Sequence, residues 1–209
     1  VAHLLFCFNG VILAKNKDKI YRYMKKVFYT VWEIVEVLLV AIIAVAAIKY
    51  FLIQPFIVNG ASMEPSFSDG DYLVVDEISY RVSDPERGDV VVFRAPVDQS
   101  VYYIKRIIGL PGEKVEVSDK TVTITNATHP QGIVLDEPYI ADSLRVNPFG
   151  NIVITLKEKE YFVMGDNRSN SLDSRRWGPL QRPDIIGMAR ARLWPLSHME
   201  LFSSPVYAQ

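Results

Sequence analysis

Cysteine is all but missing from the 209 residues: Cys7 is the only one, so no intrachain disulfide can form and stability must come from a core. Histidine is nearly as scarce. His3, His129 and His198 lie far apart, none sits in a compact motif, and no Cys/His or Asp/Glu cluster has metal-ligand spacing, so neither a metal nor another cofactor is expected. Charge of one sign is missing too. With 23 Lys and Arg against 24 Asp and Glu, the net of -1 carries no electrostatic footprint for nucleic acid or an acidic polymer. Helical periodicity is missing after residue 56, as is any fixed-length repeat, which argues against a parallel α/β sheet and a solenoid.

What the chain does have is hydrophobicity, concentrated near its start. "VLLVAIIAVAAIKYFLI", residues 37 to 53, is broken only by Lys49 and extends backward through "VFYTVWEIVE" to the roughly 20 residues that cross a bilayer. Glu33 and Glu36 would reach the headgroups at one end while Lys49 snorkels at the other. A cleavable leader would have a shorter apolar core, about 7 to 15 residues, ending in small residues, whereas Tyr50 to Phe56 is bulky. Lys15, Lys17, Lys19, Arg22, Lys25 and Lys26 all precede the segment, which places the N-terminus in the cytoplasm and everything after about residue 54 outside. The first 23 residues fit this scheme poorly. "MKKVFYTVWE" reads as a natural start at Met24 and residues 1 to 23 as an upstream extension of the gene, with a short interfacial helix as the alternative.

Strand patterns follow: 72 to 75, 90 to 93, 101 to 110, 114 to 117, 121 to 125, 132 to 135, 151 to 156, 161 to 164 and 185 to 195 are apolar, β-branched runs. Turns separate them, among them Leu110-Pro111-Gly112-Glu113, whose Pro-Gly pair suits type II. The reading is an all-β domain, with the more polar residues 118 to 155 as a small inserted lobe.

Chemistry in such a domain needs a nucleophile and a base. Ser62, between small residues and a Met-Glu-Pro turn, is a poor nucleophile unless a base stands beside it. Histidine offers no candidate, which leaves lysine. In "VYYIKRIIGL", alternation sets Tyr103, Lys105, Ile107 and Gly109 on one face and Tyr102, Ile104, Arg106 and Ile108 on the other, so one of the two cations must be buried or in a cleft. Burial makes a base of lysine: lowering the pKa by ~2.5 leaves about 10% neutral near pH 7, at a cost near ~3.4 kcal/mol. The bland alternatives are an edge strand with two solvated cations, and a Ser62 that only shapes a turn. A third element is "MGDNRSNSLDSRRWGP", residues 164 to 179, whose short polar side chains suit a hydrogen-bonded loop that orients other groups. An ordinary surface loop has the same composition.

With these pieces placed, the sequence resembles the bacterial type I signal peptidases, membrane-anchored serine proteases that remove signal peptides from exported proteins. The likeness covers about residues 28 to 195 and rests on "SMEP" (62 to 65), "GDYLVV" (70 to 75), "RGDVVVFRAP" (87 to 96) running on to "YIKRIIGLPG" (103 to 112), and "GDNRSNSLDSR" (165 to 175). It implies a mainly β fold: an antiparallel, barrel-like catalytic domain (54 to 117 and 156 to 196) with the inserted lobe (118 to 155), after a cytoplasmic segment (1 to 27) and one transmembrane helix (28 to 53), and before a tail (197 to 209). It implies Ser62 as nucleophile, Lys105 as general base, Ser171 as the hydroxyl orienting the amine, and Asp173 tying the loop through Arg175. The Ser62 N–H would hold the oxyanion. Where some members add a hydroxyl donor, this chain has Gly60, so a backbone amide near Gly60 or a water would substitute. Phe56, Val58 and Ile104 match pocket positions for small substrate residues, with core packing as the alternative for each. The implied partners are preprotein signal peptides, the lipid bilayer and the protein-export translocon; the implied place is the bacterial plasma membrane, with the catalytic domain on its outer face.

Other signals weigh less. Arg87-Gly88-Asp89 reads as a tight turn rather than an adhesion motif, and Val206 and Ala208 in the tail echo a cleavage context by composition alone. Two rivals are a self-cleaving Ser-Lys repressor, which would need a DNA-binding helix pair and no anchor, and a catalytically silent β scaffold of a secretion or pilus system.

Overall fold

A computed structural model of the chain describes residues 22 to 45 and 54 to 203. Lys49, the end of the apolar segment, and the tail residues Val206 and Ala208 lie outside the described residues. Two units result, 1 to 49 and 50 to 209. In the first, α1 (Arg22–Val45) is a helix of 24 residues, long and apolar enough to cross a membrane. Its apolar side chains, Leu38, Leu39, Ile42 and Ile43 among them, are exposed, as suits a lipid-facing helix. The helix begins earlier than the expected span, so Arg22, Lys25 and Lys26 occupy its first turns and Glu33 and Glu36 lie within it.

The second unit is built of antiparallel strands. A main sheet runs β1 (Gln54–Ile57), β2 (Tyr72–Asp76), β11 (Ile185–Trp194), β3 (Val90–Ala95), β4 (Asp98–Gly109), β9 (Glu160–Met164), β10 (Leu180–Gln181), with β12 (Glu200–Leu201) paired to β11. A smaller sheet has the order β7 (Ile133–Val134), β6 (Val122–Thr125), β5 (Lys114–Val117), β8 (Ile152–Thr155). The two other α-helices among the described residues, α2 (Ser79–Val82) and α3 (Ser174–Trp177), are single turns of 4 residues, in keeping with the missing helical period. Strands β1, β10 and β12 have no counterpart in the sequence reading: β10 and β12 are only 2 residues long, and β1 directly follows the apolar segment, which hides its pattern.

Strand β5 belongs to the small sheet, not to the main one. The chain leaves β4 through the Leu110–Glu113 turn, where Gly112 takes φ +82° and the Glu113 N–H donates to the Leu110 carbonyl at 3.2 Å, as the Pro-Gly pair predicts. Val115 then stands opposite Ile124 and Ile154 in the smaller sheet.

Strand β4 from Lys105 onward and β9 are buried on both faces, which sets the depth at which the site is built. Ile107, Val163 and Tyr161 enter one core with Phe93, Leu180 and Ile185, while Ile108, Phe162 and Met164 enter another with Val115, Ile124 and Leu156. Phe162 is fully buried there. Phe162→Ala is expected to cost about 3 to 5 kcal/mol through lost contacts and the cavity left behind, read as a fall in the chemical-denaturation free energy of the full chain in detergent.

Candidate active site

Ser62 sits on a loop between β1 and β2 whose shape is set by two hydrophobic plugs. Met63 and Phe67 are buried, and the ends of the loop close through Val58 N–H to Asp71 O and Gly70 N–H to Val58 O, each 2.9 Å. Burying the neighbour of Ser62 leaves the serine itself half-buried with its side chain toward β4. Lys105 comes from the middle of β4, paired with Val91 of β3. Its amine stands 2.8 Å from Ser62 Oγ and donates to the Ile104 carbonyl at 2.7 Å.

Only 4% of Lys105 is exposed, and burial pushes its amine from 10.5 down to about 8. Asp173 and Asp166 pull it back up, Arg175 pushes it further down, and the Tyr103 ring lies 5.5 Å from the amine. Desolvation wins because both carboxylates are already engaged by arginines. Asp173 accepts from Arg175 Nε and Nη2, both at 2.8 Å, and from the Gly165 N–H at 3.0 Å. Burial would raise the Asp173 carboxyl, but the Arg175 guanidinium overrides it and holds the group below the usual range.

The expectation that one of the two adjacent cations is buried or in a cleft is met by both. On the opposite face of β4, Arg106 is 6% exposed and donates to Asp166 from Nε at 2.9 Å and from Nη2 at 2.7 Å, with Nη1 on the Gly88 carbonyl at 2.9 Å and the Tyr139 ring 4.2 Å away. A strand covered on both faces has no solvated side on which to put either cation, so the guanidinium is paired and the amine is desolvated.

The loop after β9 closes on the serine. Asn167 donates from its N–H to the Ser62 carbonyl at 3.1 Å and from Nδ2 to the Ala61 carbonyl at 3.2 Å. Gly165 lies in the gap between these segments: a Cβ there would come within 2.3 Å of Ser171 Oγ and 2.4 Å of the Ser62 carbonyl oxygen. Ser171 is buried in the same loop, yet its hydroxyl makes no hydrogen bond within the described residues and none to Lys105. It approaches the Asp173 carboxylate closely enough to help hold it low, without good hydrogen-bond geometry. The expected Ser171 bond to the amine is therefore not made, because the amine is satisfied by Ser62 and Ile104. Gly60 also departs from expectation. Its N–H donates to Asp69 Oδ1 at 2.6 Å, so that amide is committed, whereas no described residue accepts from the Ser62 N–H.

Phe56, Val58 and Ile104, named as pocket candidates from the sequence, all line one cleft of about 210 Å³ together with Ser62 and Lys105. Sequence reasoning missed Tyr102, Tyr103 and Leu172, which share that lining, and Asn167 and Asp166, which lie within the polar loop already singled out. Tyr102 packs edge-on against Phe56 with centroids 5.5 Å apart.

Residues 31 to 194 match the family model described as signal peptidase, peptidase S26. The chain is 37% identical over 177 residues to a probable signal peptidase I-2 of Synechocystis, covering 82% of this chain and 77% of that protein. It is 34% identical over 184 residues to a signal peptidase I of Bacillus amyloliquefaciens, covering 84% and 92%. A crystal structure of an Enterococcus faecalis signal peptidase I aligns at 33% identity and TM-score 0.43, over 51% of this chain and 97% of that one. The chain belongs to the signal peptidase family and is a peptidase hydrolase. Gly165→Ala, which forces Ser171 and the Ser62 backbone apart, is expected to lower kcat about 100-fold in a peptide-cleavage assay.

Proposed function

We propose that this chain is a membrane-anchored serine endopeptidase that cuts signal peptides from exported preproteins after small residues, with Ser62 as nucleophile and Lys105 as general base. The observation that carries the reading is the buried Lys105 amine 2.8 Å from Ser62 Oγ. With an N–H given to the Ile104 carbonyl, the neutral amine keeps its lone pair for the serine proton. Oγ attacks the scissile carbonyl as Lys105 takes that proton, the resulting ammonium gives it to the leaving amine, and the amine then activates water against the acyl-enzyme. The Ser62 N–H, which no described residue uses, is the donor for the oxyanion. Ser171, whose buried hydroxyl makes no hydrogen bond among the described residues, is the group to orient the amine once Ser62 is acylated.

The apolar lining of the cleft by Phe56, Val58 and Ile104 supports specificity for short apolar side chains. Strand β1 is the edge of the main sheet, and β4 pairs with β9 only from Arg106 onward, so both offer free backbone to an extended substrate. The cations before and within the first turns of α1 argue for a cytoplasmic N-terminus and a catalytic domain on the outer face of the bacterial plasma membrane, where the export translocon delivers preproteins. Ser62 follows that helix closely in sequence, as an enzyme cutting membrane-held signal peptides needs.

In detergent, the full chain is expected to cleave a preprotein, and Ser62→Ala and Lys105→Ala each to lower the rate by about 10³-fold or more while circular dichroism is unchanged. Full activity in either variant would sink the assignment. Because the neutral amine is the active form, kcat/KM of the wild-type chain should rise about tenfold per pH unit below about 8 and level off above it.

Stability has its own pH signature. The folded amine titrates near 8 and the unfolded one near 10.5, so between these values the unfolded chain binds more protons and stability climbs with pH. Below 8 the buried ammonium costs the fold about 3 kcal/mol, a cost absent from Lys105→Met. The inactive Lys105→Met is thus expected to gain most over wild type at pH 7, with the gap narrowing between pH 8 and 10.5, as followed by urea denaturation.

A further inference from the structure

The small lobe touches the active-site loop through a buried ion pair that the mechanism leaves unused. Glu137, between β7 and β8, and Arg168, in the loop after β9, are each 2% exposed. Arg168 Nη1 donates to Glu137 Oε2 at 2.8 Å and Nη2 donates to Oε1, a two-pronged contact that fixes the guanidinium plane. Glu137 is itself fixed: the Tyr139 hydroxyl donates to Oε1 and Arg145 Nη2 donates to the Glu137 carbonyl, both at 2.8 Å. The free corner of the guanidinium, Nε, donates to the Gly165 carbonyl at 3.0 Å. Gly165 is therefore held at both ends of its peptide neighbourhood, its N–H by Asp173 and its carbonyl by Arg168. It is also the residue wedged between Ser171 Oγ and the Ser62 carbonyl.

A second grip from the lobe acts on the other anchor. Asn147 Oδ1 accepts from Arg175 Nη1 at 3.3 Å, and the Phe149 ring lies 5.1 Å beneath the same guanidinium. Both arginines that pin Gly165, one directly and one through Asp173, are thus gripped by the lobe.

We propose that the small lobe is a working part of the active site and that Glu137 is a positioning residue, which, through Arg168, holds Gly165 and with it the spacing of Ser62, Ser171 and Lys105. The proposal rests on the peptidase reading above. Glu137 touches no reacting atom. Its loss loosens the loop and admits water to the amine, which Asp173, Asp166, Arg175 and the Tyr103 ring also face.

Two variants of the full chain in detergent separate positioning from stability. Glu137→Gln keeps the shape and leaves Arg168 without its counter-charge. Glu137→Leu with Arg168→Met replaces the pair by apolar groups of similar volume, an exchange that often preserves stability. In whichever melts cooperatively within a few degrees of wild type, kcat on a signal-peptide substrate is expected to fall about 10- to 100-fold with KM within about twofold. The Lys105 amine, titrated by nitrogen NMR of its Nζ, is expected to move up from about 8 toward 10.5. An unchanged kcat and an unchanged Lys105 titration in a stably folded variant overturn the proposal. Loss of the fold in both variants overturns it too, by assigning the pair to stability alone. If the wild-type chain cleaves no signal peptide, the peptidase reading fails, and the Lys105 titration still decides the role of Glu137.

Discussion

Everything at this site depends on the desolvation of one amine. Water would keep Lys105 protonated at neutral pH, and a protonated amine cannot take the serine proton. Two carboxylates, Asp173 and Asp166, are close enough to favour the ammonium. Their pull is blunted because Asp173 faces Arg175 and Asp166 faces Arg106, in each case through two charge-assisted hydrogen bonds. The arginines therefore do more than tie loops together. By spending the negative charge locally, they let burial decide the protonation state of the lysine.

That arrangement needs a strand with no solvated face, and the two cores on either side of β4 and β9 supply it. Ile107 and Ile108 point into different cores, so the residues just before them, Lys105 and Arg106, point into protein on either side as well. One cation finds a carboxylate and stays charged. The other finds a hydroxyl and a carbonyl, and is held down to about 8. The same backbone alternation thus places a paired guanidinium and a desolvated amine at consecutive positions.

The parts of this design that repeat locally were legible in the sequence. Alternation in 101 to 110 put Lys105 with Tyr103 and Ile107, and the Pro-Gly turn at 111 and 112 folds as expected; that Ile104 shares a cleft with the distant Phe56 and Val58 was implied by the family resemblance and not by local pattern. The polar run from 164 to 179 proved to be the clasp over Ser62, although composition alone left it indistinguishable from a surface loop. What could not be read was pairing at a distance. Nothing near Glu137 marks it off from Asp136 or from other acids of the polar segment, because its partner Arg168 is remote and only the packing of the lobe brings them together. For the same reason the burial of Arg106 was missed: a period of two sorts residues onto faces, but does not say that both faces are covered. The hydrogen bond of Gly60 to Asp69, and a Ser171 hydroxyl without a hydrogen bond among the described residues, are matters of loop geometry, for which residue types carry no signal.

Three arginine–carboxylate pairs, Arg106 with Asp166, Arg168 with Glu137 and Arg175 with Asp173, are buried around one short loop. As stabilising devices they are a poor choice, since desolvating each ion offsets most of the attraction, and apolar side chains of the same volume would serve a core as well. Their value lies in direction. A hydrophobic contact has no preferred direction, whereas a forked guanidinium bound to a carboxylate and to a backbone carbonyl does. Gly165 has no side chain with which to hold its own place, and it stands where Ser171 and the Ser62 backbone approach most closely. Charge-assisted hydrogen bonds through Arg168 and Arg175 hold the loop on either side of that glycine, next to the Ser62 backbone.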